Sequence, residues 1–468
     1  MIWTGFDRVG TQAMQFVIGI IIARILMPSD YGIIGMLGIF MAIAATFMDS
    51  GFSSALIQKK GKKPQDYSTA FYFNLAVSAL FYAILYICAP AIARFYEQPL
   101  LTDVLRVYAL TLIVNALSTV QTARLSIELN FRLQAAASVA STLLSGVLGI
   151  WMAYSGFGVW ALVYQSIASS SVKAVVLWLM SGWKPSMSFS VESFKGLFSY
   201  GSRILASNII NTVYDNIYTI IIGKIFTPAQ VGYYNRANQF AQAPSSTISG
   251  TVLKVNFPVL AKLQDDDEAL LKAYRQFLRM AIYILYPFLF GLAVVAEPLI
   301  AVILGEKWLP AVPYLRILCL GFLFAPLTDI NLNLLYVKGR TDLVLKLELI
   351  KKPVAFLILA AFCPFGILWL CASRALYSIV AFCINCHYTK KLLGYGIWPQ
   401  VKEILPILLY CILMSAIVLV VLAMAQNPVV QCTAGIIAGI VSYTGVSVAF
   451  REETFSKILG IIKGRARK

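Results

Sequence analysis

Residues 18–36 read IGIIIARILMPSDYGIIGM, and residues 218–236 read YTIIIGKIFTPAQVGYYNR. Apolar, Pro and Gly positions recur at an offset of 200, and Arg24 is replaced by Lys224. Later anchors follow in order, because Phe157-Gly158 returns as Phe365-Gly366 at an offset of 208. Self-similarity over so long a period indicates an internal duplication of a large unit. The identical pairs in the first window are Ile20/Ile220, Ile21/Ile221, Ile22/Ile222, Ile25/Ile225, Pro28/Pro228 and Gly32/Gly232.

The composition around this repeat is that of a membrane protein. Of the 468 residues, 59% are hydrophobic and only 13% are charged. Soluble domains are about 45–50% apolar and about 25% charged. A soluble fold could not cover so much apolar surface, which excludes a water-soluble enzyme. The formal net charge of +17 then indicates topogenic loops or a cationic substrate path, and we expect no nucleic-acid partner.

Apolar stretches of about 20 residues separated by short polar breaks predict an all-α polytopic protein with about fourteen transmembrane helices. The first, seventh and eighth spans are the most polar. The predicted spans are 4–27, 31–57, 67–90, 102–125, 134–155, 158–180, 199–226, 229–260, 272–296, 311–337, 343–363, 366–388, 403–425 and 429–449.

The basic residues are distributed unequally between the two sides of these spans. Of 38 Lys and Arg residues, 28 belong to the termini and the loops after even-numbered spans, 7 belong to the opposite side, and 3 lie within spans. The excess of positive charge marks the cytoplasmic side. The sequence therefore predicts a multi-pass protein with both termini in the cytoplasm.

The repeat predicts the arrangement of the spans. Six spans separate the two copies, so equivalent helices point in the same direction and form two parallel six-helix bundles. We expect an N-terminal lobe at 1–181, a cytoplasmic linker at 182–198 and a C-terminal lobe at 199–392. Residues 393–468 would add two extra helices and a basic cytoplasmic tail.

Polar side chains form stripes on the first, seventh and eighth spans. Because an unpaired polar group in hydrocarbon costs several kcal/mol, these stripes should face protein or water. Asp215 lies near the middle of the seventh span. It is either functional or part of a buried pair, whose candidate partners are Arg203, Arg236 and Lys254.

No catalytic or cofactor signature accompanies the stripes. The sequence lacks nucleophile-elbow, zinc-protease and phosphate-loop motifs. His387 is the single histidine of the chain, so Cys383-Ile384-Asn385-Cys386-His387 has no second imidazole to support haem or metal binding. We expect a transporter without a cofactor or metal, and any active transport would use a Na⁺ or H⁺ gradient.

Several stretches resemble the Wzx-type polysaccharide flippases. More narrowly, the chain is similar to the colanic-acid-type lipopolysaccharide-biosynthesis branch of the multidrug/oligosaccharidyl-lipid/polysaccharide exporter superfamily. Relatives usually carry a basic segment before the start seen here as Met1-Ile2-Trp3, so part of the first helix or its anchor is expected to be absent. The resemblance rests on ARILMPSDYGIIGM, DSGFSSALIQKK, FYFNLAVSALFY, GFGVWALV, YGSRILASNIINTVYDNIYTIIIGKIF, GYYNRANQF, FPVLAKLQDD, GEKWLPAVPYLRIL and KLLGYGIWPQ.

This resemblance implies a V-shaped pair of lobes in the bacterial inner membrane. The substrate would be an undecaprenyl-pyrophosphate-linked oligosaccharide, moved from the cytoplasmic to the periplasmic leaflet by alternating access. A polysaccharide polymerase and chain-length machinery would be further partners. The stripes give the candidate residues. We assign Arg8, Arg203, Arg236 and Lys254 to the diphosphate; Gln12, Asn211, Asn235, Gln239 and Gln242 to sugar hydroxyls; and Asp215 and Asp329 to ion coupling.

Two other functions compete with this one. An ion-coupled multidrug exporter of the same superfamily would need an acidic or aromatic cavity, whereas the in-span charges here are mainly cationic. A membrane-embedded sugar polymerase or ligase would need large outward loops, whereas the longest predicted one, 297–310, has about 15 residues. A scaffold without transport activity would not explain the stripes.

Overall fold

The computed structural model describes residues 2–49, 52–59, 61–457 and 460, and the regular structure of this part is entirely helical. Short 3₁₀ turns occur at Glu306–Ala311 and Cys363–Phe365. The α-helices are α1 (Ile2–Ile25), α2 (Pro28–Asp49), α3 (Phe52–Gln58), α4 (Pro64–Tyr96), α5 (Leu101–Tyr108), α6 (Leu110–Ile127), α7 (Phe131–Tyr154), α8 (Val159–Ser181), α9 (Val191–Ile225), α10 (Pro228–Lys262), α11 (Asp267–Val294), α12 (Ala296–Ile303), α13 (Val312–Phe322), α14 (Ala325–Val337), α15 (Thr341–Phe362), α16 (Ile367–Leu393), α17 (Ile397–Met424) and α18 (Pro428–Ala449).

The helices form two compact units, Met1–Gly232 and Tyr233–Lys468. Unit 1 contains α1 to α9 and the start of α10, and unit 2 contains the remainder. The division lies beyond the linker expected at 182–198, and α9 already begins at Val191 inside that linker. The lobe bounds 1–181 and 199–392 stay a prediction, because compact units and transport lobes are different divisions of a chain.

Ten helical segments of the described chain are long and apolar enough to cross a membrane. They correspond to ten of the fourteen predicted spans, and the protein is therefore a multi-pass helical membrane protein. The other four predicted spans correspond to α1, α9, α10 and α15, which are helical. In α1 the apolar part, Gly10–Ile25, is shorter than a full span, and α9, α10 and α15 are more polar. A helix that faces a water-filled path needs less apolar surface than one surrounded by lipid. The total of fourteen crossings and the parallel repeat stay predictions.

Helix ends fall at equivalent positions in the two copies of the opening motif. Helices α1 and α9 end at Ile25 and Ile225, and α2 and α10 begin at Pro28 and Pro228. In both the α1–α2 turn and the α9–α10 turn, a backbone N–H donates to a side chain three residues later. The Met27 N–H donates to Asp30 Oδ2 at 2.9 Å, and the Thr227 N–H donates to Gln230 Oε1 at 3.1 Å. Proline at the first helical position fits both starts, since its missing N–H would be unpaired there anyway.

The connection between α8 and α9 is fixed to unit 1. The Ser186 N–H donates to Ser68 Oγ at 3.0 Å, and the Ser190 N–H donates to Thr69 Oγ1 at 3.1 Å. Ser190 then caps α9 by accepting from the Ser193 N–H at 3.2 Å. Apolar side chains on both sides of the connection pack with a core centred on Phe52, Phe71 and Leu197. The connection is therefore a docked element of unit 1.

Unit 2 contains a buried amide network around Asn331 of α14. Asn331 Oδ1 accepts from the Tyr274 hydroxyl at 2.9 Å and from the Thr389 hydroxyl at 2.6 Å. Its Nδ2 donates to Gln400 Oε1 at 3.0 Å. All four side chains are buried, so each hydrogen bond removes an otherwise unpaired polar group from an apolar interior. The network joins α11, α14, α16 and α17.

A second network, here called the ionic cluster, pairs two buried carboxylates, Glu403 and Glu452, with two partly exposed arginines, Arg275 and Arg279. Arg275 Nε donates to Glu403 Oε1 at 2.9 Å. Arg279 lies 3.4 Å from Glu403 Oε2 and 2.9 Å from Glu452 Oε1. The two carboxylates are only 9% and 3% exposed. The cluster therefore joins α11 to α17 and to the segment after α18. Helices α17 and α18 are the two that the sequence predicts to lie outside the repeat.

Candidate functional site

The outstanding feature of α10 is a polar stripe that remains exposed. Gln239, Gln242, Ser246 and Lys254 are all exposed. Their spacing places them on one side of the helix. Lipid cannot hydrogen-bond to such side chains, so an exposed polar stripe within a membrane protein is expected to line water. This stripe includes three of the residues assigned from sequence.

Arg236 begins the stripe and is held in place by two contacts. Its Nη1 donates to Gln239 Oε1 at 2.8 Å, and its guanidinium carbon lies 5.9 Å from the centre of the Trp308 ring. Trp308 is fully buried, and Tyr233 packs edge-on against it. A cation over an aromatic face is stabilised by the ring quadrupole. The structure thus brings Arg236 and Gln239 together, as a cationic group next to a hydrogen-bonding amide.

Lys254 lies on the same helix but far from Arg236. Eighteen residues of α-helix separate them, which corresponds to about 27 Å along the axis. One diphosphate cannot bind both cations at once. The two residues are therefore better explained as successive positions along a path than as one site. Of the other assignments in unit 2, Asn235 is half-buried on α10, and Asp329 is half-buried on α14.

Unit 1 carries two shorter exposed stripes. The stripe on α9 consists of Asn208, Asn211 and Asp215, and the stripe on α1 consists of Gln12 and Gln15. Beside the α9 stripe, the Thr212 and Thr46 hydroxyls of α9 and α2 lie 3.1 Å apart. The assigned residues Gln12, Asn211 and Asp215 are thus accessible. The side chains of Arg8 and Arg203 lie outside the described residues.

The exposure of Asp215 differs from what a buried ion pair, the alternative considered above, would require. Its side chain is exposed, and it forms no ion pair with any described side chain. Exposure removes most of the desolvation penalty that made a partner necessary. The functional interpretation of Asp215 therefore stays a prediction.

Two basic residues have roles that the sequence did not indicate. Lys351 lies inside α15, within the predicted span 343–363, with its ammonium 2.6 Å from Glu348 Oε1, and it is only 5% exposed. The i,i+3 spacing of this pair was the available signal. Arg374 of α16 donates from Nη1 to the Tyr234 hydroxyl at 3.2 Å. Its guanidinium also lies 5.0 Å from the Phe322 ring centre.

A family described as "Polysaccharide biosynthesis protein" matches residues 21–313. The chain belongs to this family. Among characterised relatives it is 27% identical to the Teichuronic acid biosynthesis protein TuaB of Bacillus subtilis, covering 73% of this chain and 71% of TuaB. It is 26% identical to the Succinoglycan biosynthesis transport protein ExoT of Rhizobium meliloti, covering 99% of this chain and 95% of ExoT. It is 24% identical to the Lipopolysaccharide biosynthesis protein WzxC of Escherichia coli, covering 75% and 71%.

Solved structures show the same fold at low sequence identity. The structure titled "Lipid II flippase MurJ, inward closed conformation" aligns with a TM-score of 0.80 and 13% identity over 97% of this chain and 100% of MurJ. An inward-facing multidrug resistance MATE family transporter of the MOP superfamily aligns with a TM-score of 0.65 and 16% identity, covering 83% and 96%. The predicted resemblance to superfamily flippases is confirmed, and so is the expectation of a transporter rather than an enzyme.

Proposed function

We propose that this protein translocates undecaprenyl-pyrophosphate-linked oligosaccharides from the cytoplasmic to the periplasmic leaflet of the bacterial inner membrane. The lipid-linked sugars would be repeat units for an O-antigen, a capsule or an exopolysaccharide. The observation that carries the proposal is the exposed stripe of α10, which combines Arg236 and Lys254 with Gln239 and Gln242 in a member of a polysaccharide biosynthesis family.

The chemistry of the stripe fits such a headgroup. A guanidinium forms directional, charge-assisted hydrogen bonds with phosphate oxygens, and Arg236 is already oriented by Gln239 and Trp308. Arg8, Arg203 and Lys254 would offer further positions for the diphosphate. The amides of Gln12, Asn211, Asn235, Gln239 and Gln242 would replace the water lost by sugar hydroxyls. Such a hydrated path is needed because the hydrocarbon layer is about 30 Å thick.

The movement would be alternating access by two parallel six-helix lobes, 1–181 and 199–392, with both termini in the cytoplasm. Residues 393–468 would remain attached to the second lobe through the ionic cluster. Asp215 and Asp329 are the candidates for coupling to Na⁺ or H⁺. A polymerase and chain-length proteins would receive the sugar on the periplasmic side.

Deletion of the gene from its own bacterium tests this proposal. We expect lipid-linked oligosaccharide to accumulate with its sugar facing the cytoplasm, because the headgroup cannot cross the hydrocarbon layer unaided. The measurement is oxidation of the extracted sugar after intact spheroplasts have been exposed to an impermeant periodate reagent. Protection of the accumulated sugar supports the proposal. Accumulation of accessible sugar would instead indicate a polymerase or ligase, and normal polymer with no accumulation would indicate a multidrug exporter.

A further inference from the structure

Two turns of unit 1 pack against each other through glycine. A Cβ atom on Gly32 of α2 would overlap the carbonyl oxygen of Pro228, and a Cβ atom on Gly232 of α10 would overlap the carbonyl oxygen of Pro28. A Cβ at Gly232 would also lie 3.3 Å from the Gly32 nitrogen. Because these positions are equivalent at an offset of 200, the contact is reciprocal: each glycine receives the proline carbonyl of the other turn.

An ion pair lies in the same region. Lys224, in the last turn of α9, has its ammonium 2.9 Å from Glu97 Oε1 and 5.3 Å from the Phe95 ring centre. Glu97 ends α4 in a left-handed conformation with a φ of 56°. The hydrogen bond from Lys224 lowers the pKa of the Glu97 carboxyl, so this carboxyl stays ionised at physiological pH. Next to Lys224, Gly223 packs so closely that a Cβ would lie 2.9 Å from the Tyr96 ring.

These contacts define what we call the glycine seam: Pro28, Gly32, Glu97, Lys224, Pro228 and Gly232. The seam is tight, because backbone meets backbone without intervening side chains. Its ion pair adds little stability, because both members are exposed, at 40% and 78%. Two equivalent turns that meet backbone to backbone exclude solvent, which suits a closure.

We propose that the glycine seam closes one end of the transport path and must open for the sugar to leave at that end. With the orientation inferred above, this is the periplasmic end, because the α1–α2 and α9–α10 turns follow odd-numbered spans. The inference rests on the proposed function for its role, but the conformational change itself can be measured without a substrate.

The conformational test uses cysteines at the ion pair. With Cys88, an exposed native thiol, changed to Ser, the thiols of Glu97→Cys and Lys224→Cys should be joined in membranes by a short, reducible bis-methanethiosulfonate reagent. The reagent is needed because the contact is made by the tips of two long side chains, whose reach a direct disulfide does not have. Adding Gly232→Ala should strongly reduce the cross-linked fraction, because the new methyl group forces the turns apart. Gly250→Ala on the same helix is the matched control, since no atom lies within 4 Å of its Cβ position. Equal cross-linking in the Gly232→Ala and Gly250→Ala proteins would overturn the seam as a closing contact.

The functional test uses the same cross-link without a glycine substitution, so that misfolding of a glycine variant cannot decide it. Cross-linking should stop polysaccharide export, and a reductant should restore it. The control pair is Arg124→Cys with Glu128→Cys, an ion pair within one turn of helix at the end of α6. Export that continues through the cross-linked seam would refute the gating role. If the reduced protein exports no sugar but Gly232→Ala still lowers cross-linking relative to Gly250→Ala, the proposed substrate is wrong. The proposal that the glycine seam is a closing contact is then still supported.

Discussion

Changing Arg236 to alanine is expected to reduce surface polysaccharide roughly 10- to 150-fold, because a hydrogen bond to a charged group contributes about 1.5–3 kcal/mol and each 1.4 kcal/mol is a factor of ten. The amount of protein in the membrane should not change. Arg236 is positioned by Gln239 and by the Trp308 ring, so under the proposed function its loss would remove a preorganised phosphate ligand from the α10 stripe. The measurement is polymer yield per copy of membrane protein in a deletion strain carrying each variant.

Two control variants separate this effect from a general loss of charge. Arg236→Lys keeps the cation but loses the planar fork, so export should fall less than with alanine. Arg316→Ala removes an exposed arginine that pairs with Glu297 at 3.3 Å, and export should stay near the wild-type level. If Arg236→Ala and Arg316→Ala give the same yield, Arg236 does not contact the substrate.

The second large effect is expected at the ionic cluster. Arg279→Ala should lower the free energy of unfolding by about 3–5 kcal/mol, because removing one partner leaves buried charge uncompensated. Glu452 would lose its arginine while remaining 3% exposed, and Glu403 would keep only Arg275. The measurement is denaturant unfolding of the detergent-purified protein, followed by tryptophan fluorescence.

The control for the ionic cluster is Arg340→Ala. Arg340 pairs with Asp342 at 2.8 Å, but the two side chains are 47% and 60% exposed, so little stability should be lost. Equal unfolding curves for the Arg279→Ala and Arg340→Ala proteins would show that the buried pairs do not hold α17 and α18 in place.

Local patterns in the sequence were sufficient for most of the fold. Ten predicted spans are helices of membrane-spanning length, and the ends predicted at 27 and 226 lie within two residues of the observed helix ends at Ile25 and Ile225. Hydropathy works for these spans because lipid imposes an apolar surface along their whole length. It is least informative for α1, α9 and α10, where a polar stripe offsets the apolar side and the mean hydropathy falls.

Long-range packing could not be predicted in the same way. Arg279 and Glu452 are 173 residues apart, and no periodicity marks them as partners. Gly32 and Gly232 were visible as identities in the repeat, but their reciprocal contact depends on how two distant turns meet. Charge alone could not show that Lys351 is buried in α15, where Glu348 one turn earlier pairs with it.

The candidate site was predicted only as a set of stripes. Helical spacing alone places Gln239, Gln242 and Lys254 on one side of α10, and the structure shows that this side is exposed. Spacing could not show that Arg236 is held by Trp308, which lies on a different element. Helical spacing also could not show whether the Asp215 side chain is exposed or buried in an ion pair.

The central claim is the movement of a lipid-linked sugar between leaflets, and reconstitution tests it most directly. The purified protein would be placed in liposomes containing an undecaprenyl-pyrophosphate-linked oligosaccharide extracted from the source bacterium. Sugar in the inner leaflet should become accessible to an external glycosidase in liposomes with the protein, and remain protected in liposomes without it or with Arg236→Ala. Equal protection with and without the wild-type protein, under any imposed Na⁺ or H⁺ gradient, would contradict the account.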